Sequence, residues 1–197
     1  MSLYIARHGE TDWNVEKRLQ SHSDIPLHSR GREQAQLLRQ LLINRGVQFG
    51  AAFHSPLECA YETATILLSD SGLKPILEPA LIEIDLGEYE GQLESELRER
   101  YGARFDHWRS QRFAVAAPRG ESFTQAVDRL RQGVRGILER AQREDILLIG
   151  HQAINAALKS LISGKEERVD VDSFFQTNDE IDIWDVARGV LIERLKL

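Results

Sequence analysis

Short runs of apolar residues, each followed by a longer stretch with helical spacing, recur along most of this chain. Leu3 to Ala6, Ala51 to His54 and Ile146 to Ile149 read as strands, and Pro75 to Glu78 is a candidate for a further short one. Between them, Ser29 to Arg45 carries Ala35, Leu38, Leu41 and Leu42 on one helical stripe, with Gly46 placed to end it. Ser55-Pro56-Leu57-Glu58 has the form of a helix start, a Ser cap followed by Pro and then by Glu three residues after the cap. The helix it predicts runs to about Leu68 and buries Leu57, Ala60, Tyr61, Ala64 and Leu67. Leu93 to Gln111 reads as a polar helical region, and Ser122 to Arg143 as the longest periodic segment. Another helix is expected to follow Gly150-His151 and end near Ser163-Gly164. Glu180 to Val186 and Val190 to Leu195 alternate as a closing pair of strands around Arg188-Gly189. Strands separated by helices predict a three-layer α/β/α sandwich with a mainly parallel central sheet, to which the terminal hairpin adds antiparallel pairing.

A length of 197 residues suits one domain spanning 1–197, large enough to bury a core without staples. With 42% hydrophobic and 28% charged residues, the composition argues against disorder. The net charge of −6 argues against a nucleic-acid or anionic-membrane binder, although a local basic pocket is compatible with it. The single cysteine, Cys59, excludes an internal disulfide framework and a Cys-rich metal site. There is no run of eighteen apolar residues and no basic segment leading into a long apolar one, so a cytoplasmic location is expected.

In open α/β sheets, ligands bind beyond the carboxyl ends of the strands. That rule selects Arg7-His8-Gly9-Glu10-Thr11 after the first strand, Ser55 after the second, and Gly150-His151 after the Ile146 to Ile149 strand. Two histidines and an arginine at neighbouring strand ends suit an anion. Arginine grips phosphate with a planar fork, histidine serves as nucleophile or donor, and helices starting after the strands add backbone N–H groups. His54 reads as a packing or supporting residue. His22, His28 and His107 read as loop or surface residues whose spacing matches no zinc motif.

The ordered set goes further. Arg7-His8-Gly9-Glu10-Thr11, Trp13-Asn14, Gln20, Asp24-Ile25-Pro26-Leu27, Gly31 and Gln34-Ala35 resemble the opening of the histidine phosphatase superfamily. The resemblance continues through Ser55-Pro56-Leu57, Thr63-Ala64, Leu81 to Glu83, Gly87, Glu90-Gly91, Gly120-Glu121-Ser122 and the strand ending at His151. It implies that His8 is the nucleophile that carries the phosphoryl group, and that Arg7 and His151 hold its oxygens. Glu83 is the implied acid, chosen among the neighbouring Asp85, Glu88 and Glu90, and Asn14 the implied neutral donor at the phosphate pocket. It further implies a small phosphorylated substrate and no cofactor or metal, since the protein supplies the positive charge. Monomer and homodimer are both left open.

One position departs from the pattern. The family helix usually reads Ser-x-Leu-x-Arg-Ala, and its Arg is a second phosphate clamp; here the stretch is Ser55-Pro56-Leu57-Glu58-Cys59-Ala60. A weakened phosphomonoesterase and a non-catalytic anion binder are both compatible with Cys59. Arg18 and Arg109 are the candidates to replace the missing charge from a loop. For Cys59 itself, packing beneath the helix and redox sensitivity both stand; a Cys-x5-Arg phosphatase loop does not, since Thr65 follows at that spacing. A phosphoglycerate mutase is the less favoured enzyme, because the stretch between Gly91 and Gly120 is short, with only Arg109 and Arg112 as an arginine pair. The region from Glu88 to Ala117 is a candidate lid.

Overall fold

The computed structural model describes residues 1–112, 114–165 and 171–197. Six strands form one sheet in the order β3-β2-β4-β1-β5-β6: β1 (Leu3–Arg7), β2 (Ala51–His54), β3 (Ile76–Leu77), β4 (Ile146–Gly150), β5 (Glu180–Asp185) and β6 (Val190–Lys196). β1, β2, β3 and β4 run parallel, while β5 and β6 pair antiparallel at the edge beside β1. β4 is buried along its whole length, as its uninterrupted apolar run requires of a strand covered on both faces.

The two-residue period of the strands sorts their side chains into two cores. Leu3, Ile5, Ile146 and Leu148 point to one face, where they pack against α6 (Phe123–Gly133), α7 (Arg135–Ala141) and α8 (Gln152–Ser163). Tyr4, Ala6, Ala52, Leu147 and Ile149 point to the other, against α2 (Ser29–Asn44) and α3 (Glu58–Leu67), α1 (Asp12–Glu16) being a short helix after β1. This is the expected three-layer sandwich. A smaller cluster of Tyr89, Leu97, Phe105, Trp108 and Ala117 lies outside both layers. It packs α4 (Glu94–Tyr101) and α5 (Ala103–Gln111) on each other.

Four expectations need correction. The Leu93 to Gln111 region is two helices, because Gly102 (φ +51°) reverses the chain where a side chain would be strained. Ser122 to Arg143 is likewise divided at Val134, between the poor helix formers Gly133 and Gly136. Gly133 also stands where any Cβ would overlap the Ala80 methyl, so a close crossing is kept at the expense of helix continuity. α3 begins at Glu58 with Leu57 at the cap position, rather than at Ser55, and Asp24 Oδ1 accepts from the Glu58 N–H at 2.6 Å. Tyr61 is half exposed rather than buried, its ring lying 5.1 Å from that of His54.

Candidate active site

Strand register brings the two histidines together. Arg7 pairs with Gly150 and Ala6 with Ile149, so the residues following each strand, His8 and His151, leave the sheet side by side. Their ring centroids are 4.9 Å apart. His54 pairs with Ile149 from the other side, which delivers Ser55 to the same edge.

His8 Nδ1 donates to the Gly9 carbonyl at 2.7 Å. A carbonyl only accepts, so this bond fixes the proton on Nδ1 and leaves the Nε2 lone pair free in the neutral ring. Burial, reinforced by the Arg7 charge, lowers the imidazole pKa to about 3. The loop itself is pinned. Gly9 N donates to Thr63 Oγ1 at 3.0 Å, Thr63 Oγ1 donates to the Cys59 carbonyl at 2.7 Å, and Asn178 Nδ2 donates to the His8 carbonyl at 2.7 Å. Gly9 and Gly31 are in such close backbone contact that a Cβ on Gly9 would lie 2.4 Å from the Gly31 oxygen. A Cβ on Gly31 would lie 2.2 Å from the Glu10 oxygen.

His151 Nε2 is 2.7 Å from Ser55 Oγ, which also accepts a longer bond from the Leu57 N–H at 3.4 Å. Burial first, then the neighbouring His8, Arg7 and His22, hold the His151 pKa well below the ordinary histidine value. Glu83 is buried too, and its carboxylate accepts from the N–H groups of Ile84 (2.8 Å), Ala153 (2.9 Å) and Ile154 (2.8 Å). The start of α8 thus holds a carboxylate of the protein itself. Burial raises the Glu83 pKa, against the lowering effect of those three bonds and of Arg7. Arg7 donates through a terminal nitrogen to the Gln176 carbonyl at 3.4 Å, while its Nε is buried without a partner among the described residues. Burial lowers its pKa, with Glu83 opposing, yet a guanidinium stays charged.

These groups open onto a cavity of about 180 Å³. Arg7, His8, Glu83 and His151 line it together with Asn14 and Gln20, and Trp108 and Phe175 add apolar wall. Asn14 Oδ1 accepts from Thr11 N at 3.2 Å and its Nδ2 donates to Gln20 Oε1 at 3.2 Å, so one amide hydrogen is left for another acceptor. Gln20 Oε1 also accepts from Thr11 Oγ1, whereas Gln20 Nε2 is a buried donor without a partner among the described residues.

Arg18 lines the cavity but is engaged by Glu16 and by the Gly91 carbonyl. Arg109 does not line it and pairs with Glu94 at 2.9 Å, because α5 turns that side chain toward α4. The arginine that lines the cavity from this region is Arg112, which lies 5.0 Å from the Phe175 ring centre. Cys59 is fully buried beside Leu27 and Leu57, and burial pushes its thiol up to about 12. His22 is exposed in its loop, as expected, but its Nε2 also donates to the Glu83 carbonyl at 2.9 Å. His54, through Nδ1, donates to the Ser55 carbonyl at 2.8 Å and so supports the strand end. Asn178 and Gln176 were not expected at the site; they lie far along the chain, and only β5 pairing with β1 brings their segment alongside.

Two neutral histidines in register, one with a free lone pair, beside a buried carboxyl and an arginine, accompany a match over residues 3–189 to the family described as histidine phosphatase superfamily (branch 1). The chain belongs to that superfamily. Among curated relatives, the adenosylcobalamin/alpha-ribazole phosphatase of Escherichia coli (strain K12) is 31% identical over 164 residues, covering 83% of this chain and 80% of the relative. A 2,3-bisphosphoglycerate-dependent phosphoglycerate mutase of Methylorubrum extorquens (strain PA1) is 31% identical over 201 residues, covering 98% and 89%. Among solved structures, the alpha-ribazole phosphatase from Shigella flexneri superposes with a TM-score of 0.86 at 28% identity, covering all of this chain and 96% of that one. Members of this superfamily are hydrolases and mutases of small phosphorylated metabolites, and this chain is an enzyme of that family. No helix among the described residues is long and apolar enough to cross a membrane.

Proposed function

We propose that this protein hydrolyses a small phosphomonoester through a phosphohistidine at His8. The observation that carries the reading is the Nδ1 bond to the Gly9 carbonyl, which presents an unprotonated Nε2 at the cavity. In the first step the Nε2 lone pair forms a bond to phosphorus while the bond from phosphorus to the ester oxygen breaks. Glu83, whose protonated form burial favours, gives its proton to the departing alkoxide. In the second step the Glu83 carboxylate takes a proton from water, the water oxygen bonds to phosphorus, and the N–P bond breaks to release inorganic phosphate. Arg7 and His151 are assigned to the non-bridging oxygens, joined by Asn14. The unpartnered donors Arg7 Nε and Gln20 Nε2 support an anionic ligand, since buried donors ordinarily find acceptors.

Hydrolysis is favoured over phosphoryl return by the placement of Arg109. It pairs with Glu94 away from the cavity, so of the pair Arg109 and Arg112 it is Arg112 that lines the site. Named relatives include both classes, a phosphoserine phosphatase of Hydrogenobacter thermophilus and the mutases. A second reading, anion binding without turnover, is favoured by Cys59, whose neutral thiol brings no positive charge to the place of the family's second arginine. Loss of one such donor costs roughly 10²–10³ in rate, which leaves a slow enzyme rather than an inert one.

The deciding experiment measures phosphate release from a panel of phosphomonoesters with wild type, His8→Ala and Cys59→Arg. Slow wild-type turnover, loss in His8→Ala and an acid-labile phosphoenzyme would support the hydrolase. Turnover only in Cys59→Arg would support the binder.

A further inference from the structure

Cys59 has a second consequence, independent of phosphoryl transfer. Its sulfur and one ring nitrogen each of His8 and His151 all lie within 4.8 Å of one another. The three come from three separate segments, the ends of β1 and β4 and the first turn of α3, and all are buried. We propose that they form a binding site for a single borderline-soft divalent cation of the zinc class, with one sulfur and two nitrogen ligands and an exchangeable fourth position toward the cavity.

The chemistry of the donors fits. Zinc bonds of about 2.3 Å to sulfur and 2.0–2.1 Å to nitrogen, in tetrahedral geometry, place ligand atoms about 3.3–3.6 Å apart. No pair of these atoms, all within 4.8 Å of one another, has to close by more than about 1.5 Å to reach that spacing. Metal-binding histidines characteristically donate their second ring N–H to a carbonyl or carboxylate. His8 already donates Nδ1–H to the Gly9 carbonyl, which leaves Nε2 as its ligating atom, and His151 is tethered through Nε2 to Ser55. Neither ring has to lose a proton at neutral pH. The thiol does, and it gives that proton to solvent as the metal–sulfur bond forms, so binding releases one proton for each metal taken up.

Charge is consistent with this assignment. The surroundings hold Arg7 and, when ionised, Glu83, which balance each other. A dication bound to one thiolate and two neutral imidazoles adds a single positive charge, equal to that of the arginine expected at residue 59. Access is available because His8 and His151 line the open cavity while Cys59 lies behind them. A sulfur and two imidazoles disfavour magnesium and calcium, which take oxygen ligands. A bound metal uses the same His8 lone pair that the proposed hydrolysis needs, so metal and phosphoryl group exclude each other.

The test is titration of the metal-free full-length protein with cobalt(II), followed by zinc competition. Cys59 is the one cysteine of the chain, so a thiolate-to-cobalt charge-transfer band reports this site alone. The expected result is that band at one cobalt per chain, with tetrahedral visible absorption, displaced by zinc and untouched by magnesium. At about pH 6, where a bound water stays un-ionised, one proton is released per metal. Cys59→Ser removes the band and weakens zinc binding on the order of 100-fold or more, beyond the effect of losing an outer partner. His8→Gln keeps the cysteine and also weakens binding, which separates loss of a ligand from misfolding of one variant. Absence of the band in wild type, or zinc affinity unchanged in both variants, overturns the proposal. Neither result depends on catalytic turnover.

Discussion

His8 and Glu83 are driven in opposite directions by the same cause, removal from water. Burial holds the imidazole neutral down to about pH 3 and raises the carboxyl above its ordinary value of 4.5. The proposed first step needs unprotonated His8 and protonated Glu83. Activity should therefore rise as pH passes about 3 and fall as pH passes the raised Glu83 value, giving a bell-shaped kcat/KM profile. Glu83→Gln should abolish the alkaline limb and lower kcat by roughly 10²–10⁴. Ser55 supplies a second residue-scale test. If its hydroxyl orients His151, Ser55→Ala should lower kcat several-fold with little change in stability, while Ser55→Thr should retain most of the rate. The Arg-His-Gly and Gly-His motifs made the two histidines legible in the sequence. The tautomer of His8 was not, because it depends on where one carbonyl lies in space.

Helices and strands place these residues with little slack. Gly31 in α2 and Gly9 after β1 touch through their backbones, so the helix sets the height of the His8 loop above the sheet. Gly31→Ala has to push the Glu10 carbonyl away, and should lower activity far more than its cost in thermal stability suggests. Comparing kcat with the urea midpoint checks this. Leu148, fully buried in β4, should cost about 2–5 kcal/mol when cut to alanine, measured by urea unfolding. Strand positions were readable because apolar runs of four have few other uses. Helix limits were less so. The Ser-Pro-Leu-Glu signal was real chemistry but the wrong start, since Leu57 takes the cap position and the Ser55 hydroxyl meets His151, just beyond the end of β4. The divisions at Gly102 and Val134 depend on the chain's reversal and on the Ala80 contact, and periodicity within either segment continues through them.

At the scale of the whole molecule, acid sensitivity follows from the two buried histidines. Both have pKa values below 6.5 when folded, so below that pH the unfolded chain binds more protons and stability falls as pH falls. The loss approaches about 1.4 kcal/mol per pH unit for each histidine, and His8→Asn should remove part of it in urea titrations between pH 7 and 5. The terminal hairpin is tied to α8 by Lys159, wholly buried against Asp182, which also accepts from Arg194. Removing the carboxylate leaves a buried ammonium uncompensated, so Asp182→Ala should cost about 3–5 kcal/mol and more than Lys159→Met. By itself, the sequence determined the layered fold, the superfamily and the polar residues at the strand ends, since all of these rest on local period and on motifs contiguous in the chain. Tertiary structure alone decided which arginine reaches the cavity, what Ser55 binds, and that Cys59 lies close behind two histidines. Those are contacts between segments 50 to 140 residues apart, and their geometry is set by strand register and helix packing, which no local spacing encodes.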